Sequence, residues 1–278
     1  MDFDFKHITA PFRMRPGLSR LDADARHLTR LDRSSALYRE KSLVCVSGGA
    51  LHCVAGFDPS DALRAIGQNA RAHEDGPPPG PQLAIGLAFE EDLVLLDGAS
   101  GTVPWMCVCV PSRWAPEEKL GKSLAAIHTP VVDNGTLSAA SPHLTRLVTS
   151  GGHWERFVWT VSPSKLHDQH PHRHPASPWP STHDPVEFAS GCYLRAERQT
   201  FLPVCDRHGE PKAQAVFTIR VMVEPLVSAV RGSADAECLH TALDSMTNEV
   251  VSYKNLATAR APLLAWLSTL MTGQPENA

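Results

Sequence analysis

The sequence lacks most of the short motifs that mark common enzyme classes. There is no G-x-G-x-x-G and no G-x-x-x-x-G-K-[ST], so neither a dinucleotide turn nor a P-loop is signalled. G-x-S-x-G and H-E-x-x-H are missing, which sets aside the serine-hydrolase elbow and the zincin helix. Seven cysteines, an odd number with no C-x-x-C, make no disulfide framework and no attachment site for a c-type haem. No basic segment followed by an apolar one opens the chain, and no apolar run reaches the ~20 residues of a membrane helix. A reduced, cytoplasmic setting is expected. There is no excess of one charge either: 26 Lys and Arg stand against 30 Asp and Glu, for a net charge of −4. Nothing in that balance attracts nucleic acid or an anionic membrane.

What is present is core material, 42% hydrophobic residues in 278, with no internal repeat and no linker that divides it. A single domain over residues 1–278 is expected. Histidine (14) and proline (23) are plentiful, and many prolines fall in GPPPGP at 76–81 and HPHRHPASPWPSTHDP at 170–185. Leu18, Leu21, Leu28, Leu31 and Leu37 predict a helical region through about Lys41, and a second helix is expected over 59–73. LAIGLAF (83–89) and LVLLDG (93–98) read as a hairpin turning at Glu90–Asp92. Strands are expected at 102–110 and 156–161, with a long pair at 191–204 and 214–223 joined by Asp206–Glu210. Leu239, Leu243, Met246 and Val250 predict a helix, and Leu263, Trp266, Leu267 and Leu270 another. The sum is an α+β fold: an antiparallel β-sheet with flanking N- and C-terminal helices.

Three places are candidates for chemistry. PSRWAPEEKLGKSLAAIHTP (111–130) reads as a helix whose apolar stripe, Leu120, Leu124 and Ile127, ends on His128. That imidazole is either a helix-terminal cap or a metal ligand offered from an apolar wall. Arg198 shares a strand face with Leu194, Ala196 and Leu202, and Arg220 interrupts a strand of apolar neighbours. A guanidinium in such a place needs an anion, either a protein carboxylate (Glu197 and Glu224 are candidates) or a ligand's. HDQHPHRHP holds His167, His170, His172 and His174, which read as a solvated loop before they read as a zinc or copper site.

Six segments, in order, resemble the haem-dependent oxidative N-demethylase alpha-subunit family: MRPGLSRLD, EEDLVLLDG, CVPSRWAPEEKLGKSLAAIHTPV, YLRAERQTF, AVFTIRV and VSYKNL…LLAWL. The resemblance implies a PAS-like antiparallel sheet holding haem b. It implies a monooxygenase that uses O2 to hydroxylate an N-methyl carbon of a small amine, releasing formaldehyde and the demethylated amine. Electrons would come from NADPH through flavin and iron–sulfur centres in a separate reductase; a homo-oligomer is left open. Carried onto this chain, His128 becomes the iron ligand, and Arg198, Arg220 and Arg113 become partners of the haem propionates. Trp159 becomes a pocket residue. The alternative is a non-catalytic haem-PAS binding or gas-sensing protein. The chain departs from the family pattern at Val158-Trp159-Thr160, where Asn-Trp-Ser is usual. It departs again at Phe201-Leu202-Pro203 and at Val221-Met222. These changes point away from dimethylamine, toward a bulkier amine or a loss of catalysis.

Overall fold

Alternation of side chains builds the centre of the molecule. The stretches Tyr193–Cys205 and Pro211–Pro225 run antiparallel to one another along almost their whole length. Asp206 closes their connection. Its Oδ1 accepts from the N–H groups of His208 and Glu210 at 2.8 and 3.0 Å, and Gly209 supplies the positive φ of 86°. The structure, a computed structural model, describes residues 3–73, 85–128 and 134–272. In it these two stretches are β6 and β7 of a seven-stranded sheet. The others are β1 (Ser19–Arg20), β2 (Leu51–Cys53), β3 (Asp92–Asp97), β4 (Thr102–Cys107) and β5 (Trp154–Ser162). The order is β1-β5-β6-β7-β3-β4-β2, and all neighbours are antiparallel.

The described helices are α1 (Ala36–Val46), α2 (Ser60–Ala72), α3 (Leu124–His128), α4 (Asn134–Val148), α5 (Pro185–Ser190), α6 (Leu226–Ala229), α7 (Ser233–Asp244), α8 (Asn248–Tyr253) and α9 (Arg260–Met271). Helices thus lie before, between and after the strands, in agreement with the α+β class read from the sequence. Two apolar clusters hold the elements together. One gathers Leu28, Ile66, Phe89, Leu95 and Trp105. The other packs Leu194 of β6 with Phe188, Leu239, Leu263 and Trp266 from the C-terminal helices. Each such side chain gains roughly 1.5–3 kcal/mol by leaving water. Among the described residues no helix is long and apolar enough to cross a membrane.

Four local expectations need correction. Residues 18–35 are not helical; the helix begins at Ala36, where the Ser35 hydroxyl accepts from the Tyr38 N–H at 3.0 Å. Leu28 and Leu31 are instead buried by an extended run bonded to residues 88–90, with Leu31 N to Ala88 O at 3.1 Å and Glu90 N to Thr29 O at 2.9 Å. The hairpin expected over 83–98 does not form. Residues 83 and 84 lie outside the described residues, 85–88 turn, and β3 takes β7 and β4 as partners. The helix expected across 111–130 is broken into a 3-10 turn at Pro116–Glu118 and the short α3, because Gly121 adopts a φ of 73° between them. Met246 falls between helices, and Val250 begins anew on α8, capped by Thr247.

One glycine fixes the distance between sheet and helix. Gly98 donates its N–H to Ala213 O at 2.7 Å, beside the end of α4. A Cβ there would stand 2.8 Å from that oxygen and nearer still to the Thr149 hydroxyl.

Candidate functional site

The register assigns side chains to the two faces of the sheet. Arg156 of β5 stands opposite Gln199 of β6, which stands opposite Ile219 of β7. In the same way Val158, Glu197 and Val221 form a row, and Phe201, Phe217, Val94 and Met106 form another. These rows share one face. The row Phe157–Arg198–Arg220 lies one residue out of step, on the opposite face.

One cavity lies over the first face, and a second adjoins it along β5. The first, about 460 Å3, is floored by Val94, Met106, Phe217 and Ile219 and roofed by Leu124 and Ile127 of α3 with Leu144 and Val148 of α4. Phe201 and Phe217 stack there with ring centroids 4.8 Å apart. The other, about 710 Å3, runs along β5, where Arg156 and Val158 of this face and Phe157 and Trp159 of the opposite one all line it, together with the N-terminal segment and residues 253–255. Ser112, Arg113, Trp114, Arg156, Glu197, Gln199 and Tyr253 border both. Each volume falls in the range of roughly 300–1,000 Å3 usual for small-molecule and cofactor sites.

The shared border is polar and tightly bonded. Arg195 is 2% exposed; its guanidinium donates to Ser112 Oγ at 2.9 Å, Leu166 O at 3.2 Å and His167 O at 2.9 Å. Ser112 passes its own hydrogen to Glu197, whose other oxygen accepts from Gln199 Nε2 at 2.6 Å. These bonds hold the adjacent Arg113 at a φ of 60°, a conformation that costs a non-glycine residue about 1–3 kcal/mol. Arg156 differs from Arg195. Its Nε is sealed from water and has no hydrogen-bond partner. Burial draws both arginines below the ordinary arginine pKa, with Glu197 opposing.

The larger cavity also holds Lys254. Its ammonium donates to Trp159 O at 2.8 Å and lies 5.2 Å from the Phe12 ring centre and 5.7 Å from that of Trp159. Burial pulls it down to about 8, Glu197 opposing and Arg156 reinforcing.

A model of the family described as haem-dependent oxidative N-demethylase, alpha subunit-like, matches residues 65–264. The chain belongs to this haem-dependent oxidative N-demethylase, alpha subunit-like family. The matched stretch supplies the whole lining of the smaller cavity apart from Pro16 and Leu18. Comparison with curated proteins gives no match.

For a haem-dependent family the question is whether the residues fit that group. An apolar slot with arginines at its border, among them Arg156 with a buried Nε that lacks a hydrogen-bond partner, suits a tetrapyrrole with acidic tails. The residues expected from the sequence divide between the two faces. Arg113 borders both cavities and Trp159 lines the larger, 6% exposed and edge-on to Phe12. Leu124 and Ile127 line the slot, and α3 ends at His128, the side chain of which lies outside the described residues. Arg198 and Arg220 line neither cavity. Arg198 donates to Glu155 at 2.5 Å and Arg220 to Glu90 at 2.6 Å, so carboxylates of the chain meet the need that made both candidates. Arg156, Arg195, Glu197, Gln199 and Lys254 are the residues that sequence reasoning missed. The signal was there in part: Arg195, Glu197 and Gln199 alternate on one strand face.

The histidine-rich loop is solvated only in part: the His172 side chain is 65% exposed, but the start of the loop is buried. Asp168 and His170 are 2% and 3% exposed. Asp168 binds Arg173 at 2.8 Å and His174 at 3.1 Å, and His167 binds Glu40 at 3.0 Å. Glu117, His170 and His172 bring three ligand-type atoms within 4.8 Å of one another. His170 Nδ1 accepts the His172 N–H at 3.1 Å, which puts the proton on Nε2, where it is donated to Glu117, also at 3.1 Å. Both ring nitrogens are thus committed within the protein. His153 is occupied likewise, 2.8 Å from His27 Nε2.

Proposed function

We propose that this protein is a monooxygenase that binds haem b in the apolar cavity and takes part in oxidative N-demethylation of a small amine, with electrons from a separate reductase. The observation that carries the proposal is the slot itself: apolar walls from sheet and helices, with the cationic Arg113 at its border. Bound haem supplies the redox chemistry that dioxygen and the amine require.

The chain's own residues would bind, orient and exclude water. Val94, Met106 and Phe217 on one side and Leu124 and Ile127 on the other keep the slot dry. Arg113 takes the propionate role that the sequence suggested for it, Arg198 and Arg220. His128, next after Ile127 on α3, is our choice of iron ligand, and the whole corresponds to a PAS-like haem site. NADPH, flavin and iron–sulfur centres belong to the partner in this reading, because the chain shows no motif for any of them.

The test is spectroscopic. Protein made with adequate iron and haem precursor is expected to show a Soret band that shifts with dithionite and again with carbon monoxide. His128→Ala is expected to lose that band or most of its intensity, with the far-ultraviolet circular dichroism unchanged. Protein that stays colourless after haem titration would end the proposal. Formaldehyde release from N-methylamines with a surrogate reductase then separates an oxygenase from a haem sensor.

A further inference from the structure

The larger cavity is electrically lopsided. Seven of its lining side chains are lysine or arginine, and Glu197 is the one carboxylate among them. Lys6 is paired with Asp4 at 2.8 Å, and Arg195 is held by Ser112 and three backbone carbonyls. Two inner ones stand out. The buried Nε of Arg156 has no hydrogen-bond partner, and the Lys254 ammonium has only the Trp159 carbonyl and two aromatic rings.

Arg195 is offset by Glu40, Asp92 and Asp168 as well as Glu197, whereas Arg156 and Lys254 put two positive charges against the single negative charge of Glu197. Charges withdrawn from water in that proportion are costly unless an anion joins them. Beside them lie the apolar faces of Phe12, Trp159 and Trp179, enough to cover a small organic body. A bare inorganic anion would leave those rings unused.

We infer that this cavity is a binding site for a small organic carboxylate, its acid group received by Arg156 and Lys254 and its body laid against Phe12 and Trp159. The cavity adjoins the slot across Arg156 and Glu197. If the haem reading holds, the inference therefore extends to the substrate class: an amine that bears its own carboxylate, with the ammonium turned toward Glu197. The carboxylate site itself does not rest on that reading.

Calorimetric titration of the full chain tests it, with and without added haem, using succinate, N-methylglycine, dimethylamine and inorganic phosphate. Saturable binding of both carboxylates is expected in both preparations, with no heat from dimethylamine. Lys254→Met and Arg156→Met are each expected to weaken binding by about tenfold or more, the loss usual for a charge-assisted hydrogen bond. Lys254→Met is expected to keep its circular dichroism and haem uptake, so it decides alone if Arg156→Met fails to fold. Absence of carboxylate binding, binding of phosphate alone, or affinity unchanged in Lys254→Met would each overturn the site. A colourless protein that still binds succinate would sink the haem reading and leave this one standing.

Discussion

Two adjoining cavities draw opposite chemistry from one pleated sheet. Over β7 and β3 the inward residues are Phe217, Ile219 and Val94; one or two strands away, on β6 and β5, they are Arg195, Glu197, Gln199 and Arg156. The backbone is equally regular in both halves, so geometry does not make the difference. The side chains at alternate positions do. The apolar half gains by hiding from water. In the polar half Arg195, Ser112, Glu197 and Gln199 bond one to the next, and the buried Nε of Arg156 is left without a partner.

The comparison can be broken in three ways, beyond the haem and carboxylate tests above. The largest effect is expected from Arg195→Leu, which would make the polar half resemble the apolar one. It strips partners from Ser112 and several carbonyls and leaves Glu197 buried, and is expected to cost about 3–5 kcal/mol in urea denaturation. A loss under about 1 kcal/mol would show that the polar network carries little of the fold.

The second effect depends on pH. Lys254 falls from 10.5 in the unfolded chain to about 8 in the folded one, chiefly through burial. Between those values the unfolded chain holds a proton that the folded chain has shed. Stability of the ligand-free protein is therefore expected to rise as pH climbs from about 8 toward 10.5, and to lose this contribution as pH falls back through about 8. Subtracting the urea-midpoint profile of Lys254→Met from that of the parent isolates the term. A flat difference would mean that the ammonium is already compensated in the folded state.

The smallest effect belongs to the far face. Arg198 and Glu155 are 21% and 16% exposed, so Arg198→Ala is expected to cost only about 1 kcal/mol and to leave any Soret band where it was. A large change in haem uptake would return Arg198 to the site.

How much of this was readable beforehand differs by element. The β6–β7 hairpin was legible because alternation and a polar connection agree over many residues. The interrupted helix before His128 was not, because apolar spacing ignores the turn that Gly121 makes. The arginines were misjudged for a related reason. Alternation tells which residues share a face, but which face is roofed by core and which walls a cavity is decided by distant segments. Glu155 and Glu90 reach Arg198 and Arg220 from other strands and turns, and no local pattern in 193–223 announces them. Lys254, far along the chain, reaches the site only through the placement of α8.

Gly98 carries a consequence for how such a pocket can diverge. Residues on the floor or roof can be exchanged one at a time, each altering the outline of the slot where it stands. A methyl group at 98 would meet Thr149 and Ala213 together and push α4 bodily away from the strands, carrying Leu144 and Val148 with it. The clearance of the slot is thus set by an atom that the chain does not have, at a position outside its lining.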